Sequence, residues 1–330
     1  MRTLKRLLLI ISSITILLIG WFYLHIHSNI KLPTATYELS IQPGSNLKQI
    51  SQQLANAGII PSQWTFIILA RYLNHESAIK AGDYELTGNL SQIALLDYLI
   101  KGNAKQNEIK FIEGWTFAQI RKVLNEHPAI EYKSAGLSDQ QILQHIGASE
   151  TAVEGIFFPD TYYFIKGSSD LDILQRAYKT MQNHLQNYWS ERVESLPLNT
   201  PYEALILASI IEKETGAESD RAEIAGVFIN RLRKGMKLQT DPTVIYGLGE
   251  QFDGNLRKKD LLADQEYNTY TRAGLPPTPI SLPSLASIRA ALNPAETDAL
   301  YFVAKGNGES EFSTNLADHN KAVNKYQKQQ

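Results

Sequence analysis

The sequence predicts an α+β protein preceded by one membrane-spanning helix. Three observations predict it: a long apolar run at the N-terminus, short alternating strands that each lead through a glycine into an amphipathic helix, and a helix-rich second half that closes with a hairpin. At 330 residues the chain exceeds the usual domain of about 100 to 200 residues, so more than one folded unit is expected.

The apolar run comes first. Leu7 to Ile26, "LLLIISSITILLIGWFYLHI", contains no Asp, Glu, Lys or Arg. A helix of that length crosses the roughly 30 Å hydrocarbon core of a bilayer. Arg2, Lys5 and Arg6 precede it, the next Lys or Arg is Lys31, and Trp21, Phe22 and Tyr23 stand where an interfacial aromatic belt belongs. This charge asymmetry predicts a cytoplasmic stub over residues 1–6, a single transmembrane helix over 7–26, and the bulk of the chain on the other side. A cleaved signal peptide would have an apolar region of about 7 to 15 residues and a small-x-small site, and no clear Ala-x-Ala follows here. Residues 27–36 read as a polar, Pro-containing linker.

Residues 37–126 form a region built on a recurring pattern. "IQPGSNLKQISQQL", "LTGNLSQIALL" and "FIEGWTFAQIRKVL" each run from apolar residues through a Gly to Gln-Ile and a helical apolar spacing. In the first copy Tyr37, Leu39 and Ile41 alternate as a half-buried strand, Gly44 turns, Ser45 caps, Leu47, Ile50 and Leu54 form one helical stripe, and Gly58 stops it. Ser62 opens a further helix through Tyr72, and Tyr84 and Leu86 mark a short strand. The first copy, the helix after it and "AGDYEL" resemble the LysM-like module of envelope proteins that grip peptidoglycan. A spacer that merely sets the rest of the chain off the membrane explains the same pattern, because a fold does not fix a function.

Residues 127–330 form the larger α+β domain. Ser138 opens a helix at "SDQQILQHIG", "EGIFFPDTYYF" is an aromatic strand or turn broken by Pro159, and a helical run extends from Leu171 to about Val193. After Pro201 come a long apolar helix, a second at about 220 to 233, a loop with Gly235, Pro242 and Gly247, and the Pro-rich "GLPPTPISLPS", which reads as a stiff wall or a rigid connector. A helix ended by Asn293-Pro294, a hairpin turning at Gly306-Asn307-Gly308 and a polar terminal helix complete it.

Composition narrows the chemistry. The 32 basic and 34 acidic residues are interspersed and leave a net charge of -2, so no basic stripe suits nucleic acid. The absence of cysteine removes thiol nucleophiles, disulfides and cysteine zinc sites. Of the seven His only His319 falls in the last third, no HExxH is present, and no glycine-rich phosphate loop follows a strand. No cofactor and no metal is therefore expected. Carboxylate chemistry remains, and it is the chemistry that breaks glycosidic bonds.

"ASIIEKET", 208–215, places two acids at the end of the apolar helix. At 100° per residue Glu214 projects with Leu207, Ile210 and Ile211, whereas Glu212 projects with Leu205, Ala208 and Ser209. A carboxyl among apolar neighbours disfavours its charged form and can hold a proton at neutral pH, as a general acid must. Helical geometry leaves two readings of Glu214: that acid, or a buried structural carboxyl paired with an arginine such as Arg231. Glu212 reads as a solvated or ion-paired residue. Asp241 is the best local candidate for a second carboxylate, against a plain turn role before Pro242. For Glu154 and Asp160 in "EGIFFPDTYYF" fold support is favoured.

"LASIIEKETG", "VFINRLRKGMKLQTDPTVIYGLG", "YNTYTRAGLPPTPISLPS", "YFVAKGNGESEFSTNLADHNKAV" and "EGIFFPDTYYF" together resemble the endolytic murein transglycosylase family. The resemblance implies a single-pass inner-membrane enzyme whose periplasmic domain cuts nascent peptidoglycan strands between N-acetylmuramic acid and N-acetylglucosamine, leaving 1,6-anhydromuramyl ends and setting strand length. It makes Glu214 the catalytic acid and implies work beside penicillin-binding proteins. Asn230, Gln239, Thr240, Asp241, Tyr246, Asn268 and Tyr270 are polar residues of these motifs that could line the sugar groove. The alternatives are a hydrolase using Glu214 with Asp241, and a non-enzymatic glycan-binding scaffold.

Overall fold

The structure is a computed structural model that describes residues 2–42, 44–102, 107–214 and 218–327. The chain divides into two compact units, one of residues 1–107 with 163–167, the other of residues 108–162 with 168–330.

The first unit holds α1 (Arg2–His27), β1 (Thr36–Ile41), α2 (Leu47–Asn56), α3 (Gln63–Tyr72), β2 (Gly82–Thr87) and α4 (Gln92–Lys101). β1 and β2 pair antiparallel, with Leu39 opposite Tyr84 and both side chains buried. The repeating pattern is a strand, a left-handed glycine and a capped helix: Gly44 has φ +81° before α2, and Gly88 has φ +72° before α4. Only glycine takes that conformation without strain, so each strand can reverse in few residues. The cap of α2 is Asn46 rather than Ser45: its side chain accepts from Gln49 N while Gln49 Oε1 accepts from Asn46 N. A reciprocal box satisfies two orphan donors where a lone serine satisfies one.

Residues 27–36 lie against this unit. Ile26 and Ile30 are buried in its core, Ile30 N donates to Leu90 O at 2.7 Å, and Asn29 bridges to Ser91. α1 carries the one apolar stretch among the described residues long enough to span a bilayer, Leu8–His27.

The second unit begins in β3 (Asn107–Lys110) and continues with α5 (Phe117–Glu126), β4 (Ile130–Glu131), α6 (Asp139–Ile146), the first half of β5 (Thr161–Phe164), β6 (Ser168–Ser169) and α7 (Asp170–Ser190). β4 and β6 pair in parallel. The C-terminal half adds α8 (Pro201–Glu214), α9 (Glu218–Arg233), α10 (Asp241–Leu248), α11 (Lys258–Leu262), α12 (Leu285–Leu292), the hairpin β7 (Tyr301–Ala304) and β8 (Ser310–Ser313), and α13 (Leu316–Tyr326). α8 is the central helix, packed by α7, α9, α10 and α12, and everything from Ala204 to Ile211 is buried. That all-round burial explains its uniformly apolar sequence.

One expected loop is a helix. Pro242 and Gly247 read as breakers, yet both sit inside α10. Proline in the first turn removes a donor that has no intrahelical acceptor anyway, so it starts a helix as readily as it ends one. The Pro-rich segment is woven into the core: Ile280 N donates to Ser209 Oγ, Leu282 N to Trp115 O, and residues 280–284 are mostly buried.

Candidate active site

Glu214 is the last residue of α8. A helix C-terminus presents unpaired carbonyls, which disfavour an anion there. The residue keeps partial exposure at its surface edge, but its carboxyl group is enclosed and has lost its water. Desolvation is the largest influence on it and the negative charge of Asp241 adds to it; a hydrogen bond from Thr240 and the charge of Arg231 act in the opposite sense. The net result pushes the Glu214 pKa up to about 7. The acid is thus half-protonated at neutral pH.

Its surroundings come from the turn before α10. Thr240, buried, donates its hydroxyl to Glu214 Oε1. Thr240 is itself fastened, since its N–H donates to Thr269 Oγ1 and its carbonyl accepts from Thr243 Oγ1 at 2.8 Å. Gln239, one residue earlier, holds φ +52°, a strained left-handed conformation for a residue with a side chain. Asp241 opens α10, so it is not a turn residue; its Oδ1 accepts from Tyr270 at 2.5 Å.

These groups face one cavity of about 530 Å³, lined by Glu214, Arg231, Gln239, Asp241 and Tyr270 on one side and by Tyr301 of the hairpin and His319 and Asn320 of α13 on the other. His319 stacks on Tyr301 with centroids 5.2 Å apart, and its Nδ1 is buried with no hydrogen-bond partner among the described residues. Burial and the nearby Arg231 push its pKa down, which keeps the ring neutral. A neutral imidazole beside aromatic faces suits a hydroxyl- and amide-bearing ligand.

Arg231 is not an ion-pair partner of Glu214. Its Nε donates to Leu300 O at 2.6 Å and Nη1 to Leu238 O at 2.7 Å and Lys237 O, so the guanidinium ties α9 to the segment entering the hairpin. Glu212 is half-buried and is held by serines rather than by a basic side chain. Its Oε2 accepts from Ser284 N at 2.9 Å, Ser284 Oγ at 2.5 Å and Ser287 Oγ at 2.7 Å. Its carboxyl group therefore lies at the N-terminus of α12, bound by the N–H and hydroxyl of the N-cap residue Ser284 and by the hydroxyl of Ser287.

Three of the residues expected at the groove lie elsewhere. Asn268 is fully buried and donates to Asp260, Leu261 and Ala263 carbonyls, bracing the loop after α11. Asn230 donates to Thr297 O and Ala299 O and borders a separate cavity of about 600 Å³ that Glu214 does not line. Tyr246 donates to Glu154 Oε2 at 3.1 Å. Glu154 is buried, accepts Phe117 N at 2.9 Å, and is pushed up to about 7 by loss of solvent. It props α5 against α10, in line with its expected support of the fold.

The sequence reading missed His319 and Tyr301 as parts of this wall. Both stand in one of the recognised motifs, and the signal available was the solitary histidine of the last third. Thr215 and Gly216 of the glutamate motif, with Ala217 after them, lie outside the described residues. Among the described residues no group of three His, Asp or Glu is placed to hold a metal ion.

Comparison with known proteins points one way. The model of the YceG-like family matches residues 39–325. The chain is 34% identical over 309 residues to the endolytic murein transglycosylase of Bacillus subtilis (strain 168), spanning 88% of this chain and 85% of that one. It is 29% identical over 319 residues to the endolytic murein transglycosylase of Streptococcus pneumoniae serotype 2, covering 86% of this chain but 57% of that longer protein. The crystal structure of a yceG-like protein from Listeria monocytogenes superposes with TM-score 0.52 at 29% identity, over 87% of this chain and 98% of that one.

Proposed function

The chain belongs to the YceG-like family, and from that premise we propose that it is an endolytic murein transglycosylase whose catalytic acid is Glu214. The observation that carries the residue assignment is a single desolvated carboxyl with a pKa of about 7 opening onto a 530 Å³ cavity. The substrate is the peptidoglycan glycan strand, cut between N-acetylmuramic acid and N-acetylglucosamine.

Protonated Glu214 gives its proton to the glycosidic oxygen as the bond from that oxygen to C1 of the muramyl residue breaks. Positive charge develops at C1 and the ring oxygen, and the new carboxylate of Glu214 lies beside it. The muramyl C6 hydroxyl then adds to C1 and returns its proton to Glu214, closing a 1,6-anhydro ring. No water is consumed, and the acid ends as it began.

Asp241, steadied by Tyr270, supplies negative charge beside the same centre, where it raises the pKa of the acid and favours the developing cation. Gln239 and Tyr270 supply contacts to the sugar, with Thr240 orienting the acid. A hydrolase would instead use Asp241 as base for a water, with the carboxylates about 5 to 9.5 Å apart.

Product mass separates the two. A muramyl end lighter by one water supports ring closure, and a reducing muramic acid end supports hydrolysis. Glu214→Gln is expected to fold and to lose cleavage. A folded variant that still cuts refutes the assignment.

The apolar helix α1 fits a single-pass anchor. The N-terminal positive charges support a cytoplasmic stub over residues 1–6 with the folded units outside, which in a double-membrane cell would be the periplasm. A reporter fused after Gln330 is then active only if it works after export. The LysM-like region is a candidate second contact with glycan, and glycan-polymerising penicillin-binding proteins are candidate partners.

A further inference from the structure

α3 carries a surface that neither the fold nor the active site uses. Thr65, Phe66, Ile67, Leu69 and Ala70 pack inward. On the other side Trp64, Ile68 and Tyr72, spaced four apart, project within about 80° of one another. They are 60%, 52% and 80% exposed. α2 of the same unit turns Lys48, Gln49, Gln52, Gln53 and Asn56 outward instead. Scattered exposed apolar residues are ordinary, but a continuous stripe of three large ones marks contact with something apolar.

The position of α1 says what that is. α1 packs against α3 and α4, with Phe22 and Ile26 entering the core that Phe66, Leu69 and Leu95 share, and Gln92 Nε2 donates to His25 O. The unit therefore grips α1 from Phe22 onward, within the stretch Leu8–His27 that is apolar enough to span a bilayer. A unit fastened at that level has no tether to lift it off the membrane. Trp and Tyr at the two ends of the stripe are the side chains that favour the headgroup boundary, with the aliphatic Ile68 between them.

We propose that the Trp64–Ile68–Tyr72 face of α3 is a second membrane contact, lying in the interfacial layer at the end of α1, and that lipid covers it. The proposal rests on the reading of α1 as a membrane anchor. It gives the unit a fixed attitude on the bilayer surface rather than free rotation about a stalk.

The chain has no cysteine, so single sites can be labelled without background. Leu17→Cys, Gln52→Cys and Ile68→Cys, each carrying a nitroxide in the full-length chain in lipid nanodiscs, report relaxation by oxygen, which concentrates in lipid, and by a nickel chelate, which stays in water. The expected result is that positions 17 and 68 respond to oxygen and are protected from the chelate, while position 52 responds several-fold more strongly to the chelate than position 68 does. Tyr72→Cys repeats the measurement at the far end of the stripe. Chelate access at 68 equal to that at 52, with 17 in lipid, overturns the proposal and leaves the anchor standing. Protection of 68 from both agents means that protein covers the face, which also overturns it. Chelate access at 17 removes the anchor and the proposal together.

Discussion

The hydroxyl of Thr240 donates a hydrogen bond to Oε1 of Glu214, joining the end of α8 to the turn that starts α10. The two residues are 26 positions apart in the chain, and Thr240 is held at its own N–H and carbonyl by Thr269 and Thr243. The acid is therefore aimed by a braced partner rather than by its own rotamer preference.

Thr240→Val keeps the volume and removes the donor. A hydroxyl that donates to a carboxylate favours the charged form, so its loss raises the Glu214 pKa further. We expect kcat/KM to fall about tenfold, near 1.4 kcal/mol, with the alkaline limb of the rate profile moved upward. A variant with unchanged rate and unchanged limb would show that the contact does not aim the acid.

The pH dependence follows from which form works. As the proposed proton donor, Glu214 with a pKa of about 7 acts in its protonated form, so kcat/KM is expected to be level below that value and to fall about tenfold per pH unit above it. Asp241→Asn removes a negative neighbour that holds this pKa up, and the limb is expected to move to lower pH. A profile that rises through pH 7 contradicts a protonated donor.

Stability should change in the same range. Glu214 and Glu154 both sit at about 7 in the folded chain against an ordinary value of 4.5. Between those values the folded chain holds protons that the unfolded chain has released, so stability falls as pH rises from about 4.5 to 7 and stays lower above. Each acid withdraws on the order of 3 kcal/mol over that span. Glu154→Gln, which still offers a carbonyl oxygen to Phe117 N, is expected to flatten the decline measured by urea denaturation at a series of pH values. An unaltered slope would mean that Glu154 titrates normally.

Glu212 and Glu214 are two residues apart and separable by experiment. Glu212→Ala strips the N-terminus of α12 of its carboxylate and is expected to cost about 1 to 3 kcal/mol in denaturant unfolding. The activity of the molecules that remain folded should stay within a few-fold of the parent. If Glu212→Ala abolishes cleavage at full stability, the roles are misassigned.

His319 stands on the far wall of the cavity with an unused Nδ1. His319→Ala is expected to raise KM for glycan strands by roughly tenfold, the worth of about one ring contact in the cavity wall, with kcat little changed. A loss confined to kcat would place the imidazole in the chemistry instead.

Much of the fold was legible in the chain because its determinants are local. Helix positions follow from apolar spacing, α3 and α6 start after the serines Ser62 and Ser138 as expected, and the hairpin turns at its glycines. α10 was not legible, because a proline and a glycine carry opposite meanings at the start and in the middle of an element, and the neighbours that decide between them are distant in sequence. That Glu214 projects among apolar neighbours was readable from one helical face. Its companions were only partly so: Gln239, Asp241 and Tyr270 reach the cavity, whereas Asn230, Tyr246 and Asn268 are spent on carbonyls and on Glu154.

By itself the sequence determined which helix ends in an acid, that this acid faces the apolar side, and that the chain opens with a helix apolar enough to cross a bilayer, since each depends on neighbours within a few turns. Tertiary structure alone decided that Thr240 aims the acid, that Glu212 caps a helix, that Arg231 holds carbonyls, and that His319 closes the cavity. A hydrogen bond is directional and short, so polar side chains of the same type take different duties according to which distant backbone comes within about 3 Å.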